Sequence, residues 1–251
     1  MSAPQLLDFE WRTPAGVRAA FTTRLGGVSE APWDSFNVAS HVGDVPDTVM
    51  RNREHLRTLL NLPAEPAWLN QIHGVAVSDL DAGAATGAPT TADAAVARGA
   101  GQVCVVMVAD CLPVLFASRD GGVIAAAHAG WRGLSAGVLE RTVVAMGVAS
   151  GELSAWLGPA ISQPHFEVGD EVRTEFVASD RGAAACFTVN DRGRWHADLV
   201  GLARRRLATL GVSDVSGGEW CTSADRERFF SHRRDGKGGR MAALIWRDER
   251  A

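Results

Sequence analysis

Between Gln102 and Ala127 the chain runs through three apolar segments, and this stretch constrains the fold most. Gln102–Val108 has the pattern of a strand buried on both faces. Val114–Ala117 and Val123–Ala127 read as two more strands, joined at Arg119-Asp120-Gly121-Gly122, a hairpin signal. A two-residue turn at Asp120-Gly121 puts Arg119 opposite Gly122 and, counting outward, His128 opposite Pro113. Side chains alternate along a strand, so Cys111 shares a face with residue 113. Diagonal neighbours on a sheet lie about 7–8 Å apart at Cα. The register therefore predicts that Cys111 and His128 reach a common point.

The remaining pattern is mixed. Val17–Thr22 reads as a strand, followed by a turn at Arg24-Leu25-Gly26-Gly27. Asp47 is the expected N-cap of a helix to about Leu60, with Val49, Leu56, Leu59 and Leu60 on its apolar side. Leu134–Met146 predicts one amphipathic helix, burying Leu134, Val138, Leu139, Val143 and Met146. Glu167–Ala178 and Asp198–Leu210 predict further helices, the second capped by Asp198, and Met241–Trp246 a closing strand. Ala82–Thr91 reads as a surface loop. Strands and helices alternate irregularly, so the expected fold class is mixed α/β, with helices outside buried sheets.

A chain of 251 residues with 46% hydrophobic content is long enough for a full core, and 1–251 is expected to form a single domain. A net charge of −4 argues against a nucleic-acid partner. The first residues lack the basic and apolar regions of a signal peptide, and no apolar run has membrane-spanning length, so the expected location is cytoplasmic and no membrane partner is expected. The four cysteines show no CxxC spacing and are expected as buried thiols or ligands rather than disulfides.

His73, Cys111 and His128 offer two imidazoles and a thiolate, a donor set for a borderline-soft metal such as zinc, with copper as the alternative. Three protein donors leave a coordination position for chemistry, whereas a structural zinc site has four. Cys104 and Cys221 are the candidates for a fourth, although strand alternation turns Cys104 away from Cys111. Gly133-Leu134-Ser135-Ala136-Gly137 matches the serine-hydrolase motif, but Ser135 lies too far beyond its strand for a nucleophile elbow. A cytidine-deaminase site needs H-x-E and P-C-x-x-C, and both are missing. Seven histidines are too few for a true multicopper oxidase.

The motifs also occur in a characteristic order. They are Thr22-Thr23-Arg24-Leu25-Gly26-Gly27, Asn37, His41-Val42-Gly43-Asp44, Asn52-Arg53, Gln71-Ile72-His73-Gly74, Ala92-Asp93-Ala94, Ala109-Asp110-Cys111-Leu112-Pro113, His128-Ala129-Gly130-Trp131-Arg132-Gly133, Gly158-Pro159-Ala160-Ile161 and Phe230-Ser231-His232-Arg233-Arg234-Asp235-Gly236. Together they resemble the laccase-domain or polyphenol oxidase family, also called the purine nucleoside phosphorylase YfiH family, from about Val17 to Trp246. The resemblance implies a YfiH-like, cysteine-hydrolase-like fold and zinc at His73, Cys111 and His128. It implies phosphorolysis of adenosine, inosine and methylthioadenosine, and deamination of adenosine, with nucleoside and phosphate as small-molecule partners. Peptidoglycan editing and copper-dependent phenol oxidation are the alternative activities. A monomer or weak homodimer is expected.

Within that frame Asp110 and Asp93 are candidates to move a proton or contact substrate. Arg24, Arg53, Arg132, Arg233 and Arg240 lie in or near glycine-rich motifs, and Arg24 and Arg132 are the preferred phosphate ligands. Asn37 and His41 are the residues expected at purine or ribose. Two departures from the family pattern, Ser231-His232-Arg233-Arg234 for Ser-Tyr-Arg-Arg and Gly238-Gly239-Arg240 for Thr-Gly-Arg, bear on substrate preference.

Overall fold

The computed structural model describes residues 4–83 and 89–248, so the middle of the loop expected at Ala82–Thr91 lies outside the described residues. In chain order the strands are β1 Val17–Phe21, β2 Val77–Asp79, β3 Ala94–Ala97, β4 Val103–Val108, β5 Leu112–Ser118, β6 Ile124–Ala129, β7 Leu153–Leu157, β8 Glu167–Val168, β9 Phe187–Val189, β10 Trp195–Ala197, β11 Asp214–Gly217 and β12 Met241–Arg247. The helices are α1 Pro46–Leu60, α2 Trp131–Ala136, α3 Val138–Met146, α4 Asp170–Ser179, α5 Leu199–Leu210 and α6 His232–Asp235. The mixed α/β class is as expected.

Two sheets carry the core. A six-stranded sheet has the order β11-β7-β5-β6-β3-β2, and a three-stranded sheet the order β1-β12-β4; β8, β10 and β9 form a small third sheet. Strand alternation sorts the side chains by layer. From β5, Leu115 and Ala117 face Val106 and Val108 of β4 and Met241, Ala243 and Ile245 of β12, so the two large sheets pack face to face. The opposite face of the six-stranded sheet, with Val114, Phe116, Ala125 and Ala127, packs on Val138, Leu139 and Val143 of α3 and on Leu202 and Leu207 of α5. The opposite face of the smaller sheet, with Val103, Val105, Met107, Ala242 and Leu244, packs on Leu56 of α1 and on Phe36 and Val38. Both sheets are covered on both faces, which is why their strands read as continuous apolar runs.

Several local expectations need correction. Helix α1 is capped at Val45, and Asp47 sits inside its first turn behind Pro46, at N1 where a missing N–H is harmless. Its buried face holds Val49, Asn52 and Leu56, while Leu59 is exposed. The single helix expected at Leu134–Met146 is two helices that meet at Gly137, whose φ of 99° ends α2. Glu167 and Val168 belong to β8, and the helix begins at Asp170. Asp198 does cap α5, accepting from Gly201 N at 2.9 Å.

Candidate metal centre

The hairpin has the expected register, with Pro113 opposite His128 and Leu112 opposite Ala129. Cys111 precedes β5 and His128 lies near the end of β6, so both fall at one end of the six-stranded sheet. His73 arrives through pairings that the hairpin does not contain. Strand β3 lies between β6 and β2, antiparallel to the first and parallel to the second. Asp93, just before β3, accepts His128 N at its carbonyl (2.7 Å), and the loop entering β2 then carries His73 to the same end.

The ligand atoms of His73, Cys111 and His128 all lie within 4.8 Å of one another, and among the described residues no other three metal-binding side chains cluster this way. Cys111 Sγ is 3.7 Å from His73 Nε2. A tetrahedral ion with bonds of about 2.0–2.3 Å separates neighbouring N and S ligands by about 3.5 Å. The two imidazoles meet edge to face, with centroids 4.8 Å apart. Gly130 keeps the centre open: a Cβ there would stand 2.8 Å from His73 Cδ2 and 2.9 Å from Cys111 Sγ. The donor set and its spacing fit a borderline-soft metal ion.

Burial alone would push the Cys111 thiol up, but the His128 and His73 imidazoles outweigh it and bring it down to about 6. Burial opposes a charge on His128 too, and the Cys111 and Asp93 charges reverse this, raising it well above the ordinary imidazole range. Cys104 is fully buried in β4 within the core between the sheets, where desolvation drives its thiol far up. Cys221 Sγ accepts the amides of Ser162 and Ala224, both at 3.4 Å. Neither cysteine joins the donor cluster.

The other expected site residues take different places. Asp93 is fully buried and accepts four hydrogen bonds: Ile72 N (3.2 Å), His73 N (2.9 Å), Gly74 N (2.7 Å) and His128 Nδ1 (2.9 Å). Asp110, with φ of 91°, accepts Thr222 Oγ1 and Arg233 N, each at 2.6 Å, and so ties α6 and the Thr222 loop to the residue beside Cys111. Asn37 is fully buried and donates to Asp44 Oδ2 and Ala39 O while accepting from Ala39 N and Arg240 N. Arg24 has its guanidinium committed to Asp34 O, Asp34 Oδ2 and Arg226 O. Arg132 is exposed over the Trp131 ring. Ser135 lies inside α2, donating to Arg132 O and Glu175 Oε1, away from any strand-to-helix turn.

Two guanidiniums and one imidazole, those of Arg240, Arg53 and His41, are electrostatically linked to the centre. Burial lowers the pKa of Arg240, and the Cys111 and Asp110 charges act back on it. Burial brings Arg53 down to about 10, opposed by Glu65. Arg53 uses Nε on Val38 O, and Arg240 uses Nη1 on Gly238 O and Gly239 O. His41 is held below the ordinary imidazole value by burial, then by Arg240, Arg53 and His128. Arg240 immediately precedes β12, whose Met241 pairs with Val108 of β4, and this pairing delivers it beside Ala109–Cys111. Its sequence signal was the glycine pair before a closing strand.

The family model for multi-copper polyphenol oxidoreductase laccase matches residues 18–248. The chain belongs to the YfiH laccase-domain family. A purine nucleoside phosphorylase YfiH from Escherichia coli (strain K12) is 50% identical over 245 residues, covering 96% of this chain and 98% of the relative. A purine nucleoside phosphorylase of Pseudomonas aeruginosa is 49% identical over 238 residues, covering 94% and 96%. Among solved structures, a Neisseria meningitidis protein aligns with a TM-score of 0.92 at 47% identity, covering 98% of this chain and 100% of that one. YlmD from Geobacillus stearothermophilus aligns at 0.86 and 31% identity, covering 94% and 93%. The YfiH fold is thus shared along nearly the whole chain. No helix among its described residues is long and apolar enough to cross a membrane.

Proposed function

We propose that this YfiH-family chain is a metal-dependent purine nucleoside phosphorylase, with zinc at His73, Cys111 and His128. The observation that carries this reading is the three-donor cluster itself, with the half-buried Arg240 acting on Cys111 and His41 linking Arg240 and Arg53 to His128. Close relatives named purine nucleoside phosphorylases supply the substrate class. In phosphorolysis the C1′–N9 bond of the nucleoside breaks, a C1′–O bond to phosphate forms, and the purine leaves with a proton. A phosphate dianion is best met by guanidiniums not already in a direct ion pair, which favours Arg53 and Arg240 over Arg24, paired with Asp34 at 3.0 Å. His41, held neutral, offers a further hydrogen bond at the same place. His73, Cys111 and His128 would hold the zinc ion, which would supply Lewis-acid polarisation to the substrate when bound.

Asp93 and Asp110 act in this reading from behind the centre. Their carboxylates are occupied by backbone, hydroxyl and imidazole donors, and both residues are buried. Adenosine, inosine and methylthioadenosine are the proposed nucleosides, and deamination of adenosine the proposed second reaction. Incubation of the purified protein with adenosine or inosine, with and without phosphate, tests both. Free base with ribose 1-phosphate, formed only when phosphate is present, supports phosphorolysis. Inosine formed from adenosine without phosphate supports deamination. Absence of both products with a fully metallated protein overturns the reading. Elemental analysis of protein purified without added metal separates zinc from copper.

A further inference from the structure

We propose that Asp93 is a positioning residue that couples the two imidazoles of the donor set, so that a carboxylate touching no metal governs metal affinity. The proposal rests on the metal reading of His73, Cys111 and His128. One oxygen, Oδ1, accepts both His73 N and His128 Nδ1, each at 2.9 Å. The other, Oδ2, accepts Gly74 N at 2.7 Å and Ile72 N at 3.2 Å.

Three consecutive amides, Ile72 to Gly74, therefore wrap one carboxylate, an anion-holding backbone nest. The middle residue is His73, a non-glycine with φ of 62°. Left-handed backbone is unfavourable for a residue with a Cβ. The nest holds His73 there, and the same backbone turn presents its imidazole to Cys111.

The bond to His128 sets a tautomer. An ionised carboxylate only accepts, so His128 Nδ1 carries the proton that Asp93 receives. Nε2 is left to face Cys111 and His73. Asp93 itself cannot shift. Its amide donates to Ala76 O at 3.0 Å, its carbonyl accepts His128 N at 2.7 Å, and its side chain is fully buried. An ionised carboxylate has about four acceptor positions, and all four are taken.

Asp93→Asn keeps the shape and removes this arrangement in either amide orientation. With Nδ2 toward Gly74 and Ile72, two donors face two donors and the nest opens under His73. With Nδ2 toward His128, Nδ1 becomes the acceptor and the proton moves to Nε2, where the ligand lone pair should be. Asp81→Asn is the matched control. Asp81 also accepts backbone amides, from Arg98 at 2.7 Å and Gly99 at 2.8 Å, but it belongs to the short helical turn Leu80–Ala82 beyond the other end of β2.

The test is the Zn2+ dissociation constant of metal-stripped full-length protein, by competition with a chromophoric chelator, and the thiolate-to-Co2+ absorption band of the cobalt form. Asp93→Asn is expected to weaken Zn2+ binding about 10–100-fold while Asp81→Asn stays within about twofold of the parent. Equal affinity of Asp93→Asn and parent overturns the proposal. A parent whose cobalt form shows no thiolate band overturns the metal reading instead, so the two failures are distinguishable. If Asp93→Asn does not fold, nitrogen-15 NMR of the zinc-loaded parent decides. A proton on His128 Nδ1 supports the coupling, and metal on Nδ1 overturns it.

Discussion

Arg53 lies over the indole of Trp68, 4.0 Å from guanidinium carbon to ring centroid. The stack braces a half-buried cation along its face and leaves its edge for hydrogen bonding, a geometry lysine cannot reproduce. Replacing Arg53 or Arg240 with alanine is expected to raise the phosphate KM about tenfold or more, the worth of a charge-assisted hydrogen bond. Arg24→Ala, whose guanidinium already serves Asp34 and Arg226, leaves phosphate kinetics within about twofold of the parent. Initial rates against phosphate concentration check the series. Unchanged KM in both the Arg53 and Arg240 variants would remove the anion role.

Loss of one donor leaves two, too few to hold the ion in a closed geometry. Cys111→Ala and His128→Ala are expected to lose bound metal and to slow phosphorolysis by about a hundredfold or more, several kcal/mol of transition-state stabilisation. Metal content and turnover are measured on the same preparation. Full activity in a variant shown to contain no metal would contradict the assignment.

The metal-stripped protein should expose an unusual thiol. Cys111 is brought down to about 6 by its imidazole neighbours, so it remains a thiolate at neutral pH and loses that form as pH falls through about 6. Iodoacetamide should label Cys111 with a rate that drops below that pH, and bound metal should block the reaction. Cys104 and Cys186, both pushed up by burial, should remain unlabelled at neutral pH. Peptide mass spectrometry across pH gives the profile, and a Cys111 midpoint near the ordinary thiol value would refute the prediction.

Gly130→Ala places a methyl between two donors, 2.8 Å from His73 Cδ2 and 2.9 Å from Cys111 Sγ. The expected strain is about 1–3 kcal/mol, the usual range for overpacking. The hairpin should survive, so the loss appears chiefly as weaker metal binding with far-UV circular dichroism preserved. Metal affinity equal to that of the parent would show that the ring moves aside freely.

Asp198→Ala removes the side-chain acceptor at the start of α5 and should lower stability by about 1 kcal/mol without altering phosphate kinetics. Denaturant melts and rates from the same samples check both halves.

The part of this site that was legible lies within one hairpin. The two-residue Asp120-Gly121 turn sets the register, so Pro113 opposite His128 follows from counting outward. His73 was visible as a residue but not as a neighbour, because its arrival depends on β3 sitting between β6 and β2, a non-local pairing with no local signal. The same limit hid the face-to-face sheets, since β4 and β12 are brought together from distant parts of the chain. Residue type alone does not give the partners of Arg24: a glycine-rich setting shows that a loop presents an arginine, but not which carbonyls and carboxylates hold it. Leu134–Met146 was read as one helix because burial stays in phase across Gly137, and only that glycine's positive φ separates the halves.

The donor set is assembled across strands that are neighbours in the sheet but distant in the chain. Pairing of β5 with β6 brings together the thiolate of Cys111 and the ring of His128, two of the three donors. The third donor, His73, depends on β3 pairing with β6 and β2 with β3, because it lies on the loop that enters β2. The three-donor cluster is thus a readout of the completed strand order, since the hairpin alone holds only two of its members.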